Sequence, residues 1–309
     1  MSNPSKDKNL NEGDSYQSPS LRYGQNHILG IIFVFVSVSA IAFTNVIAKY
    51  ASDEHHAMEI LFYRNGFALL ITIMFIYQKY GSFQILKTSR IKHHFRRAIV
   101  GTIGVATAFS ALKYLPITDA TVLLFTIPIF TAILSVPILG ERVGPLRWIT
   151  IFIGFIGVYI AVNPQGGFNL EGVTLCLISA LTSGMIALYV RDLGKTEPAI
   201  RTVFYFLLFG FIFMLPFMIF LATMPTWAML GLLSCTGILG FINQFLKANA
   251  YAIAPAALLS PFIYTMLIWS ILFDIILWNT MPTKQVLIGG AIIIASNLFL
   301  AWRERENKQ

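Results

Sequence analysis

Charge is the scarcest thing in this 309-residue chain: only 12% of its residues are Asp, Glu, Lys or Arg. That is about half the share of a soluble globular protein, which excludes an ordinary water-facing surface. Cysteine is nearly absent. Cys176 and Cys235 both fall inside apolar runs, so neither a disulfide framework nor a thiolate metal site is expected. The chain shows no phosphate-cradling Gly-rich loop and no nucleophile–base set. His55-His56 and His93-His94 are adjacent pairs expected at opposite membrane faces, so they do not read as one metal site. No cofactor is expected, and a membrane enzyme would lack its machinery. A secretory start is missing too: residues 1–27 have no brief apolar core with a small-residue cleavage site. An alternating β-barrel pattern is also missing, so membrane segments must be helices that satisfy their own backbone groups.

What the chain has is apolar length. It is 56% hydrophobic with a mean hydropathy of +0.71, and runs of 18 or more apolar residues recur from 28 to 302. About 20 helical residues cross a hydrocarbon core. Spans are expected near 28–49, 57–77, 95–114, 120–140, 146–164, 172–190, 202–222, 226–250, 255–278 and 283–302. The fold class is therefore an all-α integral membrane protein with ten transmembrane helices. Residues 1–27 read as a disordered tail and 304–309 as a short second one.

The few charges are placed asymmetrically. Lys49, Lys113 and Lys284 fall on one side and Arg64 within a span, which leaves 18 of the 22 Lys and Arg on the side of the termini. By the positive-inside rule both termini are cytoplasmic. Trp148, Trp227, Trp278 and Trp302 fall near span ends, where interfacial tryptophans belong. A net charge of +8 and the run "KTSRIKHHFRR" can suggest nucleic acid. Between two spans, orientation and contact with anionic lipid explain that run, so membrane lipids and no nucleic acid are the expected partners.

The chain also repeats itself. At an offset of 142, Gly30 meets Gly172, Ser37 meets Ser179, Ala57 meets Ala199, and Phe62-Tyr63 meets Phe204-Tyr205. Further on the offset is 139, matching Gly101 with Gly240, Ala111 with Ala250 and Pro116 with Pro255. The units are 28–164 and 172–303, each of five spans. Five is odd, so the second copy is inverted, an architecture in which two halves can rock around a central site. Pro128 and Pro261 lie in the corresponding fourth and ninth spans and are expected helix hinges.

Several stretches together resemble a known family. "LFYRN", "ALKYLPITDATVLLFTIPIFTAILSVPILGERV" and "AYAIAPAALLSPFIY" are similar to the EamA-type members of the drug/metabolite transporter superfamily. The Gly-rich "RWITIFIGFIGVYIAV" and "VLIGGAIIIASNLFLAWRER" continue the likeness, which runs from 28 to 305. The resemblance implies a secondary transporter of a small organic metabolite, in a bacterial inner membrane, with a cavity between the halves and no ATP-binding domain. Where the first copy reads "LGERV" the second reads "LWNTMP", so no acid stands at that second position. A channel is the rival reading; it would want a filter motif or a ring of pore charges.

Arg64 is the sharpest local signal, seven residues into an apolar run whose second copy has Phe206 there. A buried guanidinium must face protein or water and find a partner. Glu59 and Asp274 are the expected partners, either as a lock at the outer gate or as a binding group for a charged or zwitterionic substrate. Lys113 closes the third span at the same end, where it can also snorkel, and Asp119 can cap the fourth. Asn45, Asn243, Gln244, Asn249, Tyr264 and Trp269 are the expected cavity wall, suited to an amphipathic or aromatic solute. Gly154, Gly157, Gly289 and Gly290 mark the fifth and tenth spans as close-packing faces, which could equally serve a homodimer.

Overall fold

The computed structural model describes residues 26–140, 145–163, 169–194, 196–221, 223–254 and 256–306. The described residues form helices joined by short connections. In chain order these are α1 (His27–Ala51), α2 (Ala57–Tyr80), α3 (Ile91–Leu112), α4 (Ile117–Leu124), α5 (Ile127–Leu139) and α6 (Pro145–Val162). The second half contributes α7 (Leu170–Leu193), α8 (Ala199–Leu221), α9 (Trp227–Ile253), α10 (Ala256–Ile263), α11 (Thr265–Trp278) and α12 (Lys284–Glu306). A single 3-10 turn covers Phe83–Leu86. Eight segments are long and apolar enough to cross a membrane, and two shorter apolar helices lie in α6 and α12. The chain is an integral membrane protein of ten helical spans, built as two inverted five-helix repeats.

Local chemistry sets the boundaries. Asn26, Asn169 and Thr226 each accept the amide of a residue three positions on, which caps α1, α7 and α9. Asn26 and His27, expected in the tail, therefore begin a helix; residues 1–25 of that tail lie outside the described residues. Gly81 ends α2 at φ +62°, a conformation glycine adopts without strain. At the C-terminus, α12 runs on to Glu306, into the stretch expected to be a tail. The third span starts at Ile91, inside the basic run. His94 and Arg97 are buried there, so that run is only partly a lipid-facing loop.

The fourth and ninth spans break at equivalent points. Phe125-Thr126 separates α4 from α5; at the 139 offset Tyr264 separates α10 from α11, and Thr265, the counterpart of Thr126, opens α11. Thr126 Oγ1 donates to Leu123 O and Thr265 Oγ1 to Phe262 O, both at 2.6 Å. Each hydroxyl thus takes a carbonyl that the break leaves short of a partner. The expected prolines are not themselves equivalent: Pro128 opens α5, whereas Pro261 lies inside α10. The two breaks meet, with the Phe125 and Tyr264 rings edge to face at 5.0 Å. Asn297 of α12 donates to Phe125 O at 2.8 Å.

Each half is held mainly by the other half. α1 packs on α9 and, equivalently, α7 on α3; α2 and α8 pack antiparallel, and α6 packs on α12. That last seam uses the expected glycines. A Cβ on Gly289 would strike the Gly157 backbone oxygen and Ala161, and one on Gly157 would fall 2.9 Å from Gly289 O. These small residues therefore join α6 to α12 within one chain, so the glycine seam itself is taken up by backbone contact between these two helices.

Candidate functional site

The antiparallel α2–α8 seam is clasped at both ends. At one end, His55 Nδ1 stands 3.1 Å from Glu59 Oε1, and Thr223 Oγ1 donates to Glu59 Oε2 at 3.1 Å. At the other, Glu197 pairs with Arg201 at 2.5 Å and accepts Thr88 Oγ1 at 2.7 Å. Arg201 Nε and Tyr205 OH also donate to Ile85 O and Leu86 O. Glu197 and Arg201 stand 142 residues after His55 and Glu59, so the repeat has built the same i,i+4 device twice. Burial works against the Glu197 charge, but the bonds from Arg201 and Thr88 prevail and hold its carboxyl below the usual glutamate range. Arg90 adds an ion pair to Asp192.

Closure differs between the two ends. At the end carrying Ser52–His56, Asp274 of α11 accepts the amides of Ile117 at 3.0 Å and Thr118 at 2.7 Å. Pro116 has no side-chain acceptor to cap α4, so an acid from the other half does it, not Asp119. Thr121 and Ser270 hydroxyls bond at 2.7 Å across the same contact, and Lys49 Nζ donates to Leu115 O at 2.6 Å. At the opposite end the positions equivalent to Asp274 and Ser270 are Ser135 and Thr131. Their hydroxyls turn back to Ala132 O and Ile127 O on their own helix. α11 packs on α4, and no comparable packing of α5 on α10 appears among the described residues.

The inward face of α9 reads out this asymmetry. Gly30 of α1 sits on Ala250 and Ala254, while the Phe75 ring of α2 lies tilted against Phe241 and edge to face with Phe245. Between those two contacts lies a stripe holding Met229, Leu233, Gly240, Gln244, Lys247 and Tyr251, spaced three, four or seven apart and so on one helix face. Met229 and Leu233 are buried, with Leu233 at 0% exposure. Lys247 and Tyr251, further along the same stripe, are exposed. Along this face the stripe is thus buried toward the Trp227 end and exposed toward the Ile253 end.

Arg64 lies at the depth of this stripe. It is 3% exposed, and a Cβ on Gly240 would fall 3.2 Å from its Nε and Nη2. The equivalent pair in the other copy is Phe206 against Gly101, whose Cβ would lie 2.7 Å from the ring. Neither expected acid reaches Arg64. Glu59 is five residues away, about 140° around the helix, and bonds His55 and Thr223 instead. Asp274 is taken by two backbone amides. Arg64 has one weak bond, Nη1 to Asn65 Oδ1 at 3.2 Å, and its Nε has no partner. Asn65 Nδ2 and Thr102 Oγ1, which converge over Gly210, are also buried without partners.

The remaining expected residues divide. Asn45 and Gln244 are half-buried and make no hydrogen bond with described residues. Asn243 is committed, donating to Ser37 O at 2.9 Å, and Asn249 donates back to Phe245 O. Trp269 stacks on Phe273 and tilts against Phe43. Lys113 is exposed on a cavity of ≈ 200 Å³ shared with Asp53, Glu54, His55 and Tyr114. Sequence reasoning passed over Lys49, Arg97, Glu197, Arg201 and Lys247. For Glu197 and Arg201 the signal was present, since the repeat offset lands them on His55 and Glu59. Arg97 had none: its guanidinium donates to Thr202 O and covers the Phe206 ring at 4.6 Å, a contact between halves.

Comparison with known proteins agrees with this architecture. A solved crystal structure superposes with a TM-score of 0.64 at 16% identity, covering 88% of this chain and 96% of that one. The S-adenosylmethionine uptake transporter of Rickettsia bellii is 29% identical over 283 residues, 91% of this chain and 96% of that protein. The riboflavin transporter of Vibrio cholerae is also 29% identical, over 290 residues, 91% of this chain and 95% of that one. The model of the EamA-like transporter family matches residues 28–163 and again 170–302. With both halves matched, the chain belongs to the EamA-like transporter family and is a membrane transporter of small metabolites rather than an enzyme.

Proposed function

We propose that this chain is a secondary carrier that moves a zwitterionic or amphipathic metabolite across a bacterial inner membrane by alternating access, without hydrolysing ATP. The observation that carries this reading is the α9 stripe, buried at Leu233 and exposed at Lys247, which we read as a vestibule with one mouth. A channel would need both ends open together; a carrier needs one closed end and a means of exchanging it. The means is the repeat. Opening the sealed end breaks the Asp274 and Ser270 bonds, while α5 and α10 come together at the other end. The clasped α2–α8 seam stays fixed as the hinge between the halves. With the termini in the cytoplasm, the present mouth faces inward.

The relatives' substrates, S-adenosylmethionine and riboflavin, narrow the solute class to flat or zwitterionic metabolites. The test is uptake of each radiolabelled compound into vesicles holding only the purified protein, with no ATP. Saturable uptake that speeds up when unlabelled solute waits on the far side supports the carrier. Unsaturable flux, or flux that requires ATP, contradicts it.

A further inference from the structure

Arg64 and Lys247 form a pair of cations for which no anionic partner appears among the described residues. They flank one stripe: Arg64 packs on Gly240, and Lys247 lies seven residues further, about 10 Å along the helix. Gln244 stands between them without a hydrogen bond among the described residues. The buried acids among the described residues are already engaged. Glu59 holds His55 and Thr223, Asp274 holds two amides, and Glu197 holds Arg201 and Thr88. Asp119 is set among Lys49 and Asp274 at the sealed end. No ion pair to Arg64 or Lys247 appears among the described residues.

A structural role explains this poorly. A guanidinium kept for stability would be expected to have its donors filled, because an unpaired buried charge is destabilising by several kcal/mol. Here Arg64 Nε and the adjacent Asn65 Nδ2 are both left open. A passing charge at a membrane edge would snorkel outward, whereas Lys247 shares the stripe that lies between the α1 and α2 contacts of α9. The arrangement suits a visitor that brings its own negative charge.

We propose that the stripe Arg64–Gln244–Lys247 is an anion subsite of the vestibule, which takes the carboxylate, or a comparable oxyanion, of the transported solute. The inference rests on the carrier reading for its purpose but not for its test. Lys247 at the mouth draws the anion in, and Arg64 at the depth receives it with its unfilled Nε–H and a planar fork. Gln244 can follow the anion between the two.

The experiment uses the full-length protein in detergent and two aryl electrophiles that both modify lysine amines. Trinitrobenzenesulfonate carries a negative charge and fluorodinitrobenzene carries none. Peptide mapping gives the ratio of the two rates at each lysine, with exposed Lys87 and Lys92 as internal references. Dividing the rates cancels any difference in amine basicity. A neighbouring guanidinium about 10 Å away in a poorly screened interior raises the ratio at Lys247 roughly tenfold over the references. Arg64→Gln returns it to the reference level, and Arg64→Lys keeps most of the excess. A wild-type ratio at Lys247 equal to that of Lys87 and Lys92 overturns the subsite, as does a Lys247 that neither reagent reaches. Because no transport is measured, that failure is separate from a failure of the vesicle assay.

Discussion

Replacing Asp274 with asparagine tests whether one carboxylate holds the sealed end together. Asp274 is 1% exposed and accepts two amides from the start of α4, one with each oxygen. Asparagine keeps one acceptor and turns an N–H toward the other amide, so one bond is lost and one loses its charge. Hydrogen bonds to charged groups contribute about 1.5–3 kcal/mol each. Relief from burying a charge offsets part of the loss, leaving about 2–3 kcal/mol. For a chain of this size each kcal/mol shifts Tm by about 2 °C, so the change should be roughly 5 °C. The assay exploits the cysteines: Cys176 is fully buried, and exposed Cys235 can be replaced. A fluorogenic maleimide then reports unfolding as Cys176 becomes reactive. Asp119→Asn, which removes no hydrogen bond among the described residues, should leave Tm within about 1 °C of its starting value. An unchanged Tm in Asp274→Asn, or an equal drop in both variants, would refute the capping role.

The α6–α12 seam makes a second claim on stability. Gly289→Val drives side-chain atoms into the Gly157 backbone, which has no rotamer to yield, and should cost about 1–3 kcal/mol in the same assay. Glu197 predicts a pH effect. Its folded carboxyl lies below the ordinary glutamate value of about 4.3, so its contribution is present above that value and disappears as pH falls through the lower, folded one. Thermal scans by tryptophan fluorescence between neutral and acidic pH should show this loss, and Glu197→Gln should flatten that part of the profile. Orientation is checked by single cysteines at exposed Ser82 and Glu54 in a cysteine-free background. An impermeant thiol reagent added to intact cells should label Glu54→Cys and spare Ser82→Cys.

The spans were legible because length and hydropathy are global properties of each segment, and caps such as Asn169 and Thr226 sit where the apolar runs begin. The inverted repeat was legible in Gly101 and Gly240, small residues whose equivalence follows from close contacts made in both halves. What escaped was the identity of partners. Charge counting pairs Arg64 with an acid, but Asp274 finds two backbone amides because Pro116 leaves the start of α4 uncapped, and nothing in a list of charges reveals that need. Helical geometry alone argued against Glu59, five residues from Arg64. The break points were half legible: prolines lie near both, yet Thr126 and Thr265 carry the equivalent hydrogen bonds. Lys247 was assigned to the cytoplasmic side by its position alone. Its inward direction depends on which faces of α9 are taken by α1 and α2, and only the packed structure settles that.

The carrier reading requires the sealed end to open while the α2–α8 seam holds. Thr121 and Ser270, whose hydroxyls touch at 2.7 Å across the sealed contact, can be made a cysteine pair in a chain without Cys176 and Cys235. Thr88 and Glu197, 2.7 Å apart at the clasp, provide the matching control pair. Each pair is bridged oxidatively in vesicles, and flux of the solute identified by the uptake assay is measured before and after reduction. The carrier predicts that bridging Thr121→Cys to Ser270→Cys stops flux, that reductant restores it, and that bridging Thr88→Cys to Glu197→Cys leaves it running. Undiminished flux through protein fully bridged between positions 121 and 270 would contradict alternating access in this chain.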